Sequence, residues 1–173
     1  PNNPWAQIGY WGDHQVIYFE KLLEFCLKTK KQEFLDGLNE AIYASSNVPY
    51  RIADYEAILK DPRNTITFDY KLNSELLEKT KSYGTDGKLI ADKDGNPYLV
   101  SITAKMLQIL IAKIANLVPG GGIWLNTQRP EWNDANNALA GYGLSVVTTC
   151  YLQRFLKELI LIYESANQNA FTM

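Results

Sequence analysis

The sequence is poor in the residues on which several common chemistries depend. Its 173 residues contain two cysteines and a single histidine. That supply does not indicate a disulfide framework or a zinc site built from cysteine and histidine, and it does not favour a serine or cysteine triad. We therefore expect no metal and no cofactor. Cys26 and Cys150 fall in apolar helical patterns, where we expect them to be buried free thiols.

The chain also lacks a strong charge of either sign and a long apolar run. Its net charge is only −2, whereas nucleic-acid-binding proteins normally carry a clustered basic excess. Lys113 and Asn116 interrupt the longest apolar run, which lies within residues 106–118 and falls short of the ~20 residues that a membrane span needs. We therefore expect neither a nucleic-acid nor a membrane partner. The apolar content of 46% is that of an ordinary globular protein with a core.

No initiator methionine opens the chain, which begins Pro1-Asn2-Asn3-Pro4. We interpret the sequence as an excerpt of a longer protein, with residues 1–173 forming one helical domain or part of a larger one. Such an excerpt would expose apolar faces that a missing neighbour covers. The expected protein partner is therefore the remainder of the parent chain or a second copy of this one.

Helical periodicity dominates what is present. Apolar residues recur three and four positions apart in several segments, which predicts amphipathic helices. The predicted helices are Asp13–Lys30, Gln32–Ser45, Asp54–Lys60, Leu72–Ser82, Thr103–Val118 and Leu144–Glu164. Asp13 is a candidate cap for the first helix. The first two helices follow each other so closely that they predict an antiparallel hairpin.

Strand-like patterns are short. Thr65–Tyr70 is β-prone, and the stretches Lys88–Ala91 and Tyr98–Ser101 flank an Asp94-Gly95 turn, which predicts a β-hairpin. A hairpin of this size is not stable alone and must pack on another element. The predicted fold class is therefore mainly α, built of helical hairpins with one small β-hairpin.

The first candidate site precedes and enters the first long helix. Trp11, Asp13, His14 and Gln15 bring an aromatic ring, a carboxylate, the histidine and an amide into a few residues. A structural interpretation stays open here: Asp13 caps the helix, Trp11 packs beneath it, and His14 is a surface residue of the first turn. A functional interpretation assigns the same side chains to ligand binding.

The second candidate site is the polar connection Asn126–Asn137. It holds two carboxylates, a guanidinium, several amides and Trp132. An aromatic face stacks on a sugar ring, while amides and carboxylates hydrogen-bond to its hydroxyls. A glutamate held near Trp132 and partly desolvated would have a raised pKa and could protonate a glycosidic oxygen. The structural alternative is that Asp134 and the asparagines cap the following turn, with Arg129 pairing a carboxylate.

Glu131-Trp132-Asn133-Asp134 resembles the Asp-Trp-Asn-Asp stretch of the cellobiose phosphorylase family. That resemblance implies an (α/α)6 toroid of helical hairpins, and it implies that the acidic residue before the tryptophan, here Glu131, is the general acid. Glutamate replaces the family's aspartate, and Ala135 stands where the family has glycine or alanine. Residues 119–156 and 9–15 also resemble segments of large bacterial proteins. A complete toroid would need roughly twice this chain length by helix counting.

A sugar-acting enzyme fragment is therefore the leading hypothesis, by hydrolysis or phosphorolysis. Glu131 would be the general acid and Asp13 or Asp134 its partner carboxylate, about 6.5–9.5 Å away in an inverting hydrolase. Trp11 and Trp132 would be sugar platforms. The expected ligands of hydroxyls or phosphate are His14, Gln15, Gln128, Arg129, Asn133 and Asn136. The alternatives are a non-catalytic carbohydrate-binding or regulatory module and a purely structural helical module.

Overall fold

Helices make up most of the structure, a computed structural model that describes residues 12–61, 66–124 and 143–166. The helices are α1 (Gly12–Thr29), α2 (Lys31–Asp36), α3 (Tyr55–Lys60), α4 (Tyr70–Tyr83), α5 (Ile102–Ile114) and α6 (Val146–Ser165), with 3₁₀ helices at Gly37–Asn39 and Gly84–Lys88. The strands are β1 (Tyr43–Ala44), β2 (Tyr50–Ile52), β3 (Ile66–Phe68), β4 (Leu99–Val100), β5 (Leu117–Val118), β6 (Gly122–Trp124) and β7 (Leu144–Ser145). The mainly α fold class is confirmed.

The described residues form two compact units. The helical unit consists of residues 12–43, 100–124 and 143–166, and the mixed unit consists of residues 44–61 and 66–99. Each unit is built around different elements. Long helices dominate the helical unit, whereas short strands and helices α3 and α4 make up the mixed unit.

In the helical unit, α1 and α6 pack side by side and run in the same direction. Residue numbers rise together along the contact, because Glu20 lies against Arg154 near the middle and Leu27 lies beside Leu161 further along. Helix α5 runs the opposite way. Its first turn lies beside the end of α6, where Thr103 is close to Tyr163, and its own end leads into the sheet that starts α6.

The core of the helical unit fills the space between these three helices. Phe19 and Phe155 meet edge to face with ring centroids 5.9 Å apart, a favoured aromatic geometry. The buried apolar residues of this core are Val16, Leu23, Leu35, Leu38, Ile102, Met106, Ile123, Leu152, Phe155, Leu159 and Ile162. Burial of such side chains contributes about 1.5–3 kcal/mol each, so this apolar contact is the main source of stability in the unit.

A three-stranded antiparallel sheet, β5-β6-β7, joins the end of α5 to the start of α6. Its central strand lies directly on α6, since the Ile123 N–H donates to Thr149 Oγ1 at 2.9 Å. Thr149 Oγ1 in turn donates to the Ser145 carbonyl at 2.6 Å. A Cβ on Gly122 would lie 2.8 Å from that hydroxyl oxygen, so only glycine permits the approach.

The mixed unit is organised by two aspartates that start helices. Asp54 accepts from the Ala57 N–H at 2.8 Å and caps α3. Asp69 accepts from the Leu72 N–H at 2.9 Å and caps α4, and it also pairs with Arg51 at 2.8 Å. The predictions of a helix ending at Lys60, a strand within residues 65–70 and a helix within residues 72–82 are confirmed.

The predicted helix Gln32–Ser45 is wrong beyond its first turns. Helix α2 ends at Asp36 and the chain becomes extended by Tyr43. Strand pairing overrides the helical pattern there, because the Ile90 N–H donates to the Ser45 carbonyl at 2.8 Å and the Asn47 N–H donates to the Lys88 carbonyl at 2.7 Å. Long-range hydrogen bonds of this kind outweigh a weak local propensity.

The predicted helix Thr103–Val118 ends one turn early, at Ile114. Leu117 and Val118 pair instead with Ile123 and Gly122. Helical geometry is disfavoured at Val118 because proline follows it.

The predicted β-hairpin is confirmed near its turn, where Ala91 bridges Pro97. Its outer arm is different, since β4 pairs with β1 rather than with residues 88–89. The expectation for the cysteines is wrong for Cys150, which is exposed; Cys26 is half-buried, and both are free thiols.

Replacing Gly122 by alanine should destabilise the helical unit by about 1–3 kcal/mol. Gly122 has φ +140°, a conformation that L residues rarely adopt, and the new Cβ would press on a hydroxyl fixed by two hydrogen bonds. Urea unfolding followed by circular dichroism measures the loss. Gly37→Ala is the control, because Gly37 has φ −83° and open space around it. Equal effects of the two changes would contradict the prediction.

Candidate functional site

Most of the predicted sugar site lies outside the described residues. The residues concerned are Trp11, Gln128, Arg129, Glu131, Trp132, Asn133, Asp134 and Asn136. Asp13 and His14 belong to the first turn of α1, but their side chains also lie outside the described part. Gln15 is exposed in that turn. The distance from Glu131 to either partner carboxylate therefore stays a prediction.

The structure does describe the end of the helical unit at which α1 and α6 begin. Since the two helices run in the same direction and contact each other from Glu20 and Arg154 onward, their first turns lie at one end of the unit. The end of α5 lies there as well, through the sheet β5-β6-β7. Helix α1 begins at this end, and β7 leads into α6 there.

The start of α6 is fixed by a small buried network. Ser145 Oγ accepts from the Thr148 N–H at 3.1 Å and from Thr148 Oγ1 at 2.8 Å. Both side chains are buried. This serine cap satisfies a backbone donor that the helix itself leaves open, so the first turn of α6 is a rigid support for the segment that precedes it.

Two further polar groups are buried at this end of the unit, and the sequence analysis did not predict their burial. Lys113 is 4% exposed in the last turn of α5, where the helix dipole stabilises a positive charge. The indole nitrogen of Trp124, the last residue of β6, is buried and has no hydrogen-bond partner in the part of the chain that the structure describes. Lys113 lies in an apolar run, and Trp124 lies next to no recognisable motif. Neither feature of the sequence indicated that these polar groups would be buried.

A second polar cluster lies between α1 and α6. Glu20 is 0% exposed, and Arg154 Nε lies 3.1 Å from its Oε1. The approach is an ion pair without an aligned hydrogen bond, since neither Glu20 oxygen receives a directed donor. Arg154 also pairs with Glu24 and lies over the Tyr151 ring at 5.1 Å. One guanidinium therefore bridges two carboxyl groups one helical turn apart.

The two carboxyl groups have opposite pKa shifts. Burial raises the pKa of Glu20, the charge of Arg154 opposes that rise, and the charge of Glu24 strengthens it. The hydrogen bond from Arg154 lowers the pKa of Glu24. Glu20 therefore keeps its proton to a higher pH than Glu24 does.

Chemically, this cluster fits an inter-helix clamp better than a reacting centre. Glu20 has no surface through which to touch a substrate. Glu24 does reach a groove of about 320 Å³, where Lys28 and Glu158 stand above apolar Leu27 and Leu161. The acidic and basic side chains that line this groove balance in charge. They do not suggest a single position at which a substrate would react. The cluster holds α1 against α6.

Changing Glu20 to glutamine should make stability less sensitive to pH. Because the folded pKa of Glu20 is raised above its ordinary 4.5, the stabilising contribution of this group is complete below pH 4.5 and is lost as the pH rises through the raised pKa. Urea unfolding at pH 4 and pH 7.5 gives the free energy of unfolding of the variant and of the parent chain. The variant should gain stability relative to the parent as the pH rises from 4 to 7.5.

Glu33→Gln, which removes an exposed carboxylate paired with Lys30 at 2.7 Å, is the matched control for this change. Its stability difference from the parent chain reports only a surface ion pair. The raised pKa of Glu20 would be contradicted if the stability difference from the parent chain changed with pH as much for Glu33→Gln as for Glu20→Gln. It would also be contradicted if Glu20→Gln gained more stability at pH 4 than at pH 7.5.

Comparison with known proteins identifies no relative from which an activity could be carried over. No protein-family model and no curated protein matches the chain. Among the described helices, none combines the length and the apolar character that crossing a membrane requires.

Proposed function

We propose that the chain is part of a carbohydrate-active protein that cleaves glycosidic bonds by general acid catalysis, with Glu131 as the acid. The observation that carries the proposal is the composition of residues 126–137. A carboxylic acid next to an indole, flanked by amides and a guanidinium, matches what a sugar ring and its leaving oxygen require. Such an inventory exceeds what a loop needs to turn the chain.

The helical unit supports bringing the two predicted segments together. The first segment runs into α1, the second lies in the connection between β6 and β7 that leads on to α6, and both helices begin at the same end of the unit. The helices below them are fixed by the Glu20–Arg154 contact and by the Ser145 cap. Catalytic groups need rigid supports of this kind, because a displacement of about 1 Å can cost on the order of 100-fold in rate.

The directions of the helices support a toroid. In a ring of helical hairpins, the first helices of successive hairpins run in the same direction, and each is followed by a helix that runs back. Helices α1, α5 and α6 follow that order: up, down and up again. This arrangement would make the helical unit one hairpin and the beginning of the next.

The surface of α1 supports a larger assembly. Tyr18, Leu22 and Phe25 lie on one face of α1, opposite the core residues, and each is more than half exposed. A helix with apolar residues on opposite faces is usually covered on both. The proposed cover is a further helix of the parent protein, or a second copy of this chain.

Two reaction types remain within the proposal. Hydrolysis needs a carboxylate base about 6.5–9.5 Å from the acid in an inverting enzyme, a role for Asp13 or Asp134. Phosphorolysis needs a phosphate pocket instead, to which Arg129 and His14 would contribute. Dependence of sugar release on added inorganic phosphate separates the two.

In the intact parent protein, Glu131→Gln should lower turnover of an unactivated disaccharide about 10²–10⁴-fold while sugar binding is kept. An aryl glycoside with an acidic leaving group should lose much less, because such a leaving group needs little protonation. Sugar release measured with both substrates tests this. Glu40→Gln, an exposed carboxylate in the same chain, is the control.

An equal loss on both substrates would remove the acid role from Glu131. If the parent protein binds sugars but releases none, the chain is a non-catalytic carbohydrate-binding module. If its tryptophan fluorescence also fails to respond to sugars, the chain is a structural module.

A further inference from the structure

A second concave site lies in the mixed unit. Its lining includes Tyr83, at the end of α4, and the apolar residues Leu89, Ala91 and Pro97. Lys79 and Asp86 also line it. We propose that this pocket binds a single neutral sugar ring, as a carbohydrate subsite made by residues other than the proposed catalytic ones.

The exposed ring of Tyr83 favours a sugar ligand. Tyr83 is 73% exposed, so its ring is accessible to a ligand that enters the pocket. The C–H face of a pyranose offers a flat apolar surface for such a ring, and tyrosine keeps a hydroxyl for the edge. A volume of about 310 Å³ lies at the small end of ligand pockets.

The charged residues that line the pocket favour a neutral polar ligand. Lys79 and Asp86 contribute one positive and one negative group, and neither takes part in an ion pair within the described part of the chain. A pocket with no net charge does not select phosphate or a metal cation. A polyhydroxylated ring can donate to the carboxylate and accept from the ammonium at the same time.

The walls are fixed before any ligand arrives. A Cβ on Gly87 would lie 2.6 Å from the backbone of Lys79, so the 3₁₀ helix that carries Asp86 packs directly on α4. Opposite it, Asp92 Oδ1 accepts from the Asp94 and Asn96 N–H groups at 2.9 Å each and closes the turn. A preformed pocket avoids the entropic cost of ordering its walls on binding.

This inference extends the proposed function and rests on it for the class of ligand. The probe is a panel of methyl glycosides of glucose, galactose, mannose, xylose and N-acetylglucosamine, with free amino acids as the other small molecules that could match paired charges. Saturation-transfer NMR on the whole chain detects weak binding directly. At least one glycoside should bind, and Tyr83→Ala should weaken its binding about tenfold or more, which corresponds to 1.4 kcal/mol.

Tyr70→Ala is the matched control, because Tyr70 is 70% exposed on the first turn of the same helix and does not line the pocket. It should change binding less than twofold, and Tyr83→Phe should do the same, since the ring is kept. Equal losses for Tyr70→Ala and Tyr83→Ala, binding of amino acids alone, or binding of nothing would overturn the proposal.

The sugar subsite and the catalytic role of Glu131 can be tested independently of each other. Glu131→Gln should leave the Tyr83-dependent signal unchanged, since Glu131 is not among the described residues that line the pocket. If sugar release proves independent of Glu131 while the Tyr83-dependent signal persists, the subsite stands and the catalytic assignment does not. If turnover depends on Glu131 and the NMR signal is insensitive to Tyr83, the subsite is wrong and the catalytic assignment stands.

Discussion

The contact between Glu20 and Arg154 fixes the register of the two longest helices, and the rest of the helical unit depends on that register. Parallel neighbours align their dipoles unfavourably, so packing must hold them together. The edge-to-face pair Phe19–Phe155 and the apolar core supply that attraction. A slide of one turn would separate the buried Glu20 carboxyl from its guanidinium, which is costly for a buried polar group. The ion pair therefore selects one alignment among several that hydrophobic contact alone would permit.

From this alignment follows the geometry on which the proposed chemistry rests. If α1 and α6 were antiparallel, their first turns would lie at opposite ends of the unit. Because the helices are parallel, both begin at the same end. The sheet β5-β6-β7 then returns the chain to the start of α6, and the absence of a side chain at Gly122 lets that sheet lie directly against the helix.

The sequence predicted local features well and long-range ones poorly. Asp54 stood before an apolar helical pattern, and it does cap α3. The segment after Asp36 also had a helical pattern, yet its backbone pairs with residues 88–90, a contact that no local pattern can reveal. Glu20 was not singled out from the sequence, because its partner Arg154 is distant in the chain. Periodicity gives the faces of a helix, but not which helix will cover them.

For the candidate site too, the sequence predicted the local features and not the long-range ones. The polar inventory around Glu131 could be recognised from residue types alone, since chemistry follows from composition. Its distances could not, because they depend on how the chain enters the helices. The pocket beside Tyr83 went unnoticed for the opposite reason. Its residues are ordinary one by one, and only the close approach of Gly87 to α4 assembles them.

The order of segments in the helical unit has a consequence for how the chain is made. The described part of this unit comes from three separate stretches, residues 12–43, 100–124 and 143–166, whereas the mixed unit lies between the first two. Chains fold progressively as they leave the ribosome. The described part of the mixed unit is therefore made while α1 still lacks α6. The helical unit cannot complete its core until α6 has left the ribosome.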